Sequence, residues 1–167
     1  MIGSIIYEDS CQGTLHYVFG KEGMRILGYG NMCSQDISQK FFRSVLHFQG
    51  QRNATKNRYV HISLNLPHGE HLDDTTFHKV SQEYMEKMGY RKLPYVIVRH
   101  SDTEHEHVHI VTTNVNEAGK VLNIFNSYRR SMATRQYLEK KFGLTPSQTI
   151  KQERELMLYR LPRLQFG

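Results

Sequence analysis

His100, His107 and His109 fall within ten residues, in the run His100-Ser-Asp-Thr-Glu-His-Glu-His107-Val-His109. Neutral imidazole offers a lone pair that suits first-row divalent metals. Three such groups with coordination positions left over describe a catalytic metal site better than a closed structural one. Side chains two apart on a strand share a face, so His107 and His109 project together while Val108 turns into the core. Residues 93–99 read as one buried strand and 107–114 as another. The polar stretch 101–106 between them has hairpin-loop character. That hairpin sets His100 opposite His107 and brings the three imidazoles to one spot. A lone strand histidine is usually a packing or surface residue. Three on one face are harder to dismiss, because each buried ring would need its own hydrogen-bond partner. Asp102 and Glu104 add carboxylates beside the cluster, where one can accept from a ligand histidine. His105 reads as a loop residue near substrate, not as a ligand.

The elements that must carry these residues follow from hydropathy periodicity and punctuation. A strand at 2–7 leads to a helix at about 12–20 and a glycine-punctuated strand near 25–31. Ser34-Gln-Asp36 offers a helix start, and Ile37, Phe41 and Leu46 give helical spacing through 37–48. Residues 58–66 alternate as a strand with Val60, Ile62 and Leu64 inward, leaving His61 and Ser63 on the other face. Asp73 or Asp74 caps a helix running to Met88 and closed by Gly89. The hairpin 94–115 comes next, then a turn at 116–119 and a short strand near 121–124. A helix at 126–142 follows, with Met132, Leu138 and Phe142 inward and Gly143 at its end. One more helix is expected at 150–161. The fold class is therefore α+β, an antiparallel five-stranded sheet flanked by helices, with the histidine hairpin on its central strands.

The chain has 167 residues, enough for one domain with a real core. A net charge of +6 and a pI near 9.3 favour an anionic partner, of which phosphate backbones are the usual kind. Basic residues at 51–58 including Arg58, at Arg91-Lys92 and at Arg129-Arg130 are placed to follow a DNA backbone. Tyr90, Tyr95 and Tyr128 are candidates to stack on unpaired bases, with core packing as the commoner fate. Cys11 and Cys33 are too few for a disulfide framework or a four-ligand zinc site, and read as buried free thiols. No signal peptide and no run of membrane-spanning length is visible, so cytoplasmic residence without membrane insertion is expected.

Three blocks in order give the sequence a family likeness. The stretch from His100 to Asn114 resembles the third motif of DNA relaxases of the mobilisation and conjugation type. In that family a histidine, an aspartate two residues on and a His-hydrophobic-His pair (HUH) mark the metal site. His61-Ile-Ser63-Leu-Asn-Leu-Pro67-His-Gly69-Glu70 resembles the second motif, a strand ending in a Pro-x-Gly-Glu turn with a serine that contacts DNA. Thr14-Leu-His-Tyr17-Val-Phe-Gly-Lys21 resembles the first, whose tyrosine is the nucleophile. The resemblance reaches to Leu144 and implies a catalytic domain at 1–145. It leaves 146–167 as a C-terminal helical extension that opens a longer region.

The resemblance implies a bacterial enzyme that nicks one strand at an origin of transfer, for plasmid or transposon mobilisation. Tyr17 would attack the scissile phosphate and keep the 5′ end as a phosphotyrosine, with His100 and Asp102 assisting. His100, His107 and His109 would hold a divalent ion, manganese or magnesium, with zinc or nickel as alternatives. Ser63, Arg58, His61, His105, Arg129 and Arg130 would contact the DNA. Accessory mobilisation proteins and a coupling protein are the implied partners. Three other readings stay open. Tyr137-Leu-Glu-Lys140 matches the Tyr-x-x-Lys helix of HUH replication initiators, which would make Tyr137 the nucleophile. A water-using metallonuclease would leave no covalent product. A DNA-binding module with a structural metal would not turn over at all.

Overall fold

A computed structural model describes residues 1–147 of the chain. Five strands and four helices follow in the order β1 (Ile2–Glu8), α1 (Gln12–Gly20), β2 (Arg25–Gly30), α2 (Gln39–Gly50), β3 (Tyr59–Asn65), α3 (Asp74–Lys87), β4 (Tyr95–His100), β5 (His107–Thr113) and α4 (Ser127–Phe142). The strands form one antiparallel sheet in the order β1-β3-β5-β4-β2, which puts β5 at its centre. The α+β architecture expected from the sequence is the one observed. The helix expected at 150–161 lies outside the described residues.

The sheet separates two cores. Val60, Ile62, Leu64, Ile97, Val108 and Ile110 face one way and pack with Phe77, Val80 and Tyr84 of α3 and Leu138 of α4. Val96, Val98 and Val111 face the other way and meet Leu15 and Val18 of α1 and Phe42 and Leu46 of α2. Strand alternation therefore gives His61, Ser63, His100, His107 and His109 to the α1/α2 face and leaves α3 and α4 behind the sheet. Central strands covered on both sides are apolar on both sides, which is why 95–100 reads as a nearly continuous hydrophobic run.

Two boundaries differ from expectation. α2 begins at Gln39, because the Ser38 side chain accepts from the Phe41 backbone N–H at 3.2 Å. Ser34 and Asp36 instead satisfy loop amides, and Ile37 is left exposed. The residues near 121–124 form a single bridge, Val115 to Val121, not a strand. Asp73 caps α3 as expected, accepting from Thr76 N–H at 2.7 Å. Cys11 is buried, which pushes its thiol up to about 11, whereas Cys33 is exposed against expectation.

A charge cluster at the hairpin base was not anticipated. Arg99, 1% exposed, donates to Glu106 at 2.5 Å and to Asp74 of α3 at 2.9 Å. Both lie on the α3 face, directly behind His100 and His107. The clamp ties the last residues of β4 to the first of β5 and both to the start of α3. Glu106→Ala would leave a buried guanidinium with one partner. That costs about 2 kcal/mol, below the full figure for a buried pair because Glu106 is partly exposed. Thermal melts should show a midpoint lowered by roughly 4–8 °C. Burial works to raise the Glu106 carboxyl, but the His71 hydrogen bond and the Arg99 charge outweigh it and hold it below the usual range. The Arg25 hydrogen bond does the same for Asp74. Depressed carboxylates stabilise the fold above the ordinary carboxylate range and lose that contribution as pH falls through and below it. The Glu106→Ala variant should therefore show a flatter acid limb than the parent chain when melts are run from pH 6 to pH 3.

Candidate metal and nucleophile centre

His100 ends β4 and faces His107, which opens β5 in the register His100–His107. His109 follows on the same face and pairs across β3 with Ser63. One ligand atom from each histidine lies within 4.8 Å of the others, and all three residues are buried. Each ring has one nitrogen engaged away from the cluster. His100 Nε2 donates to the Val18 carbonyl at 2.7 Å, and His107 Nδ1 donates to the His105 carbonyl at 2.9 Å. A carbonyl oxygen only accepts, so these contacts place the N–H outward in a neutral ring and turn the lone pairs of His100 Nδ1 and His107 Nε2 inward. His109 Nδ1 lies 2.7 Å from His61 Nε2.

Burial, reinforced by the neighbouring imidazoles of His61, His107 and His100, holds His109 far below its ordinary value, so it is neutral. Burial likewise lowers His61 to about 4. His100 Nδ1 and His109 Nε2 are buried and make no hydrogen bond. A buried lone pair without a donor is costly in a folded chain. Two of them turned toward a third imidazole fit a cation held by His100, His107 and His109. These three residues are the ones that would hold such an ion.

Tyr17 projects from α1 over this cluster. Its ring lies 6.0 Å from the His100 ring and 5.7 Å from the His109 ring, both edge-on, and it is 47% exposed. About half of its surface is therefore open to the cavity side or solvent. Lys21, one helical turn on, has Nζ 5.2 Å from the Tyr17 ring centroid and 3.7 Å from Asp102 Oδ2. Asp102 Oδ1 lies 3.9 Å from His107 Nε2. Lys21 closes the first motif block and caps the end of α1, but the sequence reading assigned it no role. A cavity of about 830 Å³ opens between α1 and the sheet; Tyr17, His61, Ser63, His105, His107 and His109 are among its lining residues. Its size suits one or more nucleotides.

Other candidates fall elsewhere. Ser63 bonds Ser4 Oγ at 2.6 Å on the cavity wall, and His105 Nδ1 meets the Leu66 carbonyl at 3.2 Å. Glu104 points away, beside His68 at 3.4 Å, and is largely exposed. Arg58 precedes β3 at the end of the strand away from Ser63, roughly 17 Å along the chain at strand rise. Its guanidinium donates to the Asn53 carbonyl. Arg129 and Arg130 lie exposed on α4, behind the sheet. Tyr137 is on the same helix, 3.9 Å from Lys87 Nζ. Tyr90 and Tyr95 are 2% and 4% exposed and present no stacking surface. Lys40 and Arg43, not singled out from the sequence, line a second cavity of about 340 Å³ that shares Ser10 with the first.

Residues 17–144 match the family model "Relaxase: MobA/VirD2-like, nuclease domain". No curated protein sequence gives a match. A chain from a solved structure described as "Molecular Basis of Vancomycin Resistance Transfer in Staphylococcus aureus" superposes with a TM-score of 0.54 at 12% identity, covering 86% of this chain and 94% of that one. At that identity the likeness speaks to the fold. No helix among the described residues is long and apolar enough to cross a membrane.

A metal that binds only the folded chain stabilises it by about 2.7 kcal/mol at a hundredfold excess over Kd. Manganese should therefore raise the melting temperature of the parent chain. It should leave His107→Ala and His109→Ala unmoved, and an equal rise in all three would place the ion elsewhere.

Proposed function

The chain belongs to the MobA/VirD2-like relaxases and is by that membership a DNA endonuclease and strand transferase; from this premise we propose that it nicks one strand at an origin of transfer through Tyr17, leaving a 5′-phosphotyrosine, for plasmid or transposon mobilisation. The observation that carries the proposal is Tyr17, exposed to the cavity and packed edge-on against two histidines whose buried nitrogens lack partners.

The chemistry is a phosphoryl exchange. The Tyr17 hydroxyl gives up its proton as its oxygen bonds the scissile phosphorus. The bond to the 3′ oxygen breaks, and that oxygen leaves with a proton as a 3′-hydroxyl. One ester replaces another, so a later attack by a 3′-hydroxyl can rejoin the strand without an external energy source. A divalent cation held by His100, His107 and His109 would supply Lewis-acid neutralisation of a non-bridging phosphate oxygen. Manganese is the natural probe, since an all-imidazole set binds manganese, zinc or nickel more tightly than magnesium. Lys21 would offset charge growing on the attacking oxygen. Asp102, beside both Lys21 and His107, is the carboxylate placed to receive or relay the proton. Ser63 and His105 would contact the nucleotide in the cavity. Lys40 and Arg43 would meet backbone phosphates on the strand continuing past Ser10, as far-side Arg129 and Arg130 would for more distant DNA. Origin DNA is the proposed partner, with accessory mobilisation and coupling proteins acting on the bacterial complex in the cytoplasm.

The replication-initiator arrangement is disfavoured by one observation: Tyr137 sits on α4, on the opposite side of the sheet from the histidines. The reading is tested with labelled single-stranded origin oligonucleotide, manganese and a denaturing protein gel. A slowed covalent band is expected for the parent chain and Tyr137→Phe, and none for Tyr17→Phe, a loss of at least about 10³-fold for removal of a nucleophile. His107→Ala should lose the band while keeping most oligonucleotide affinity, because backbone contacts dominate binding. Cleavage without any covalent band would instead assign water as the nucleophile.

A further inference from the structure

The three clustered histidines are not oriented in the same way. His100 and His107 each give their outward N–H to a backbone carbonyl, at 2.7 Å and 2.9 Å, and a carbonyl admits only that direction. His109 instead faces another imidazole, His61 Nε2 at 2.7 Å, which can donate or accept. If His109 Nδ1–H donates to His61, the His109 Nε2 lone pair faces the cluster. If His61 donates, His109 Nε2 carries a hydrogen into a buried spot where it has no acceptor and cannot bind a cation. The two arrangements differ in the tautomer of both rings, since each neutral imidazole carries its one hydrogen on the opposite nitrogen in the other arrangement.

We infer that His61 is a positioning residue that fixes the ligand-competent tautomer and ring orientation of His109, and that it does so by accepting a hydrogen bond, not by touching DNA. The inference rests on the metal reading of the site. The sheet supplies the alignment: His61 pairs with Val111 and Ser63 with His109, so His61 lies diagonally across from His109 on one face. The ring centroids lie 4.9 Å apart with their planes inclined by 34°, the nearly in-line arrangement of a ring-to-ring hydrogen bond. Such outer partners of metal histidines change metal affinity by 10- to 100-fold.

The substitutions separate the roles. His61→Gln presents an amide oxygen near the place of Nε2 and keeps the acceptor; His61→Leu keeps bulk and removes it. Manganese affinity by calorimetry should fall about 10- to 100-fold in His61→Leu and stay within a few-fold of the parent in His61→Gln. Affinity for a single-stranded oligonucleotide without metal should be unchanged in both. Melting temperatures without metal serve as the control for a fold defect. A second readout needs no metal: ¹⁵N-histidine spectra should show His109 protonated at Nδ1 in the parent chain and His61→Gln, and no longer fixed there in His61→Leu. Parent-like manganese affinity in His61→Leu, or a parent His109 protonated at Nε2, would overturn the inference while leaving the metal site standing. Lost oligonucleotide affinity with unchanged manganese affinity would make His61 a DNA contact instead. A parent chain that binds no manganese would overturn the metal reading and this inference together.

Discussion

The hydrogen bond from His100 Nε2 to the Val18 carbonyl joins the two halves of the centre. Val18 lies in the last turn of α1, where helix carbonyls have no partner within the helix and carry the negative end of its dipole. His100 fills that vacancy with one nitrogen and turns the other toward His107 and His109. A single imidazole thus docks the helix that carries Tyr17 and contributes to the cluster beneath it. The remaining anchors of α1 are Cys11, Leu15 and Val18 in the α1/α2 core, the Thr14 hydroxyl donating to Glu8, and the Lys21–Asp102 ion pair.

The dock works only if the hairpin holds its register. A slip of one residue between β4 and β5 would send His107 and His109 into the α3 core and bring Val108 and Ile110 onto the cavity face. Apolar residues behind the sheet resist that exchange, and so does Arg99, which reaches Glu106 and Asp74 from the opposite face. Histidines in front and a charge clamp behind, with Glu106 in it, fix both ends of the loop 101–106. The price of the arrangement is buried polar density: Ser63, Asn65, His100, His107 and His109 share a wall that a purely structural sheet would fill with aliphatic groups. Local departures of this kind from a well-packed core are where functional sites are expected.

Much of this was legible in the sequence. Period-two alternation gave the strands, and the His-hydrophobic-His spacing gave a shared face whatever the surrounding fold. Tyr17 was legible as a motif residue but not as a contact of His100, because the dock is made by backbone 82 residues away in sequence. Arg99 read as the end of an apolar strand, since a buried guanidinium is recognisable only once its carboxylates are placed. His61 read as a DNA contact because alternation gives its face but not its partner His109 on β5. Lys40 and Arg43 were not singled out in the sequence; their nearness to the cavity arises from the packing of α2 beside α1. The start of α2 was missed because Ser34, Asp36 and Ser38 are equally good caps locally, and tertiary burial of Phe42 and Leu46 chose among them.

The central claim is that Tyr17 and the three histidines form one strand-transfer centre. Its most direct test is to trap the manganese-dependent product with origin oligonucleotide, digest the DNA and protein, and sequence the modified peptide by mass spectrometry. Trypsin releases residues 1–21 and 136–140 as separate peptides, and fragmentation distinguishes Tyr7 from Tyr17 within the first. A nucleotide phosphate on Tyr17 is the predicted result. The same remnant on Tyr137, or on Tyr7, would contradict the account.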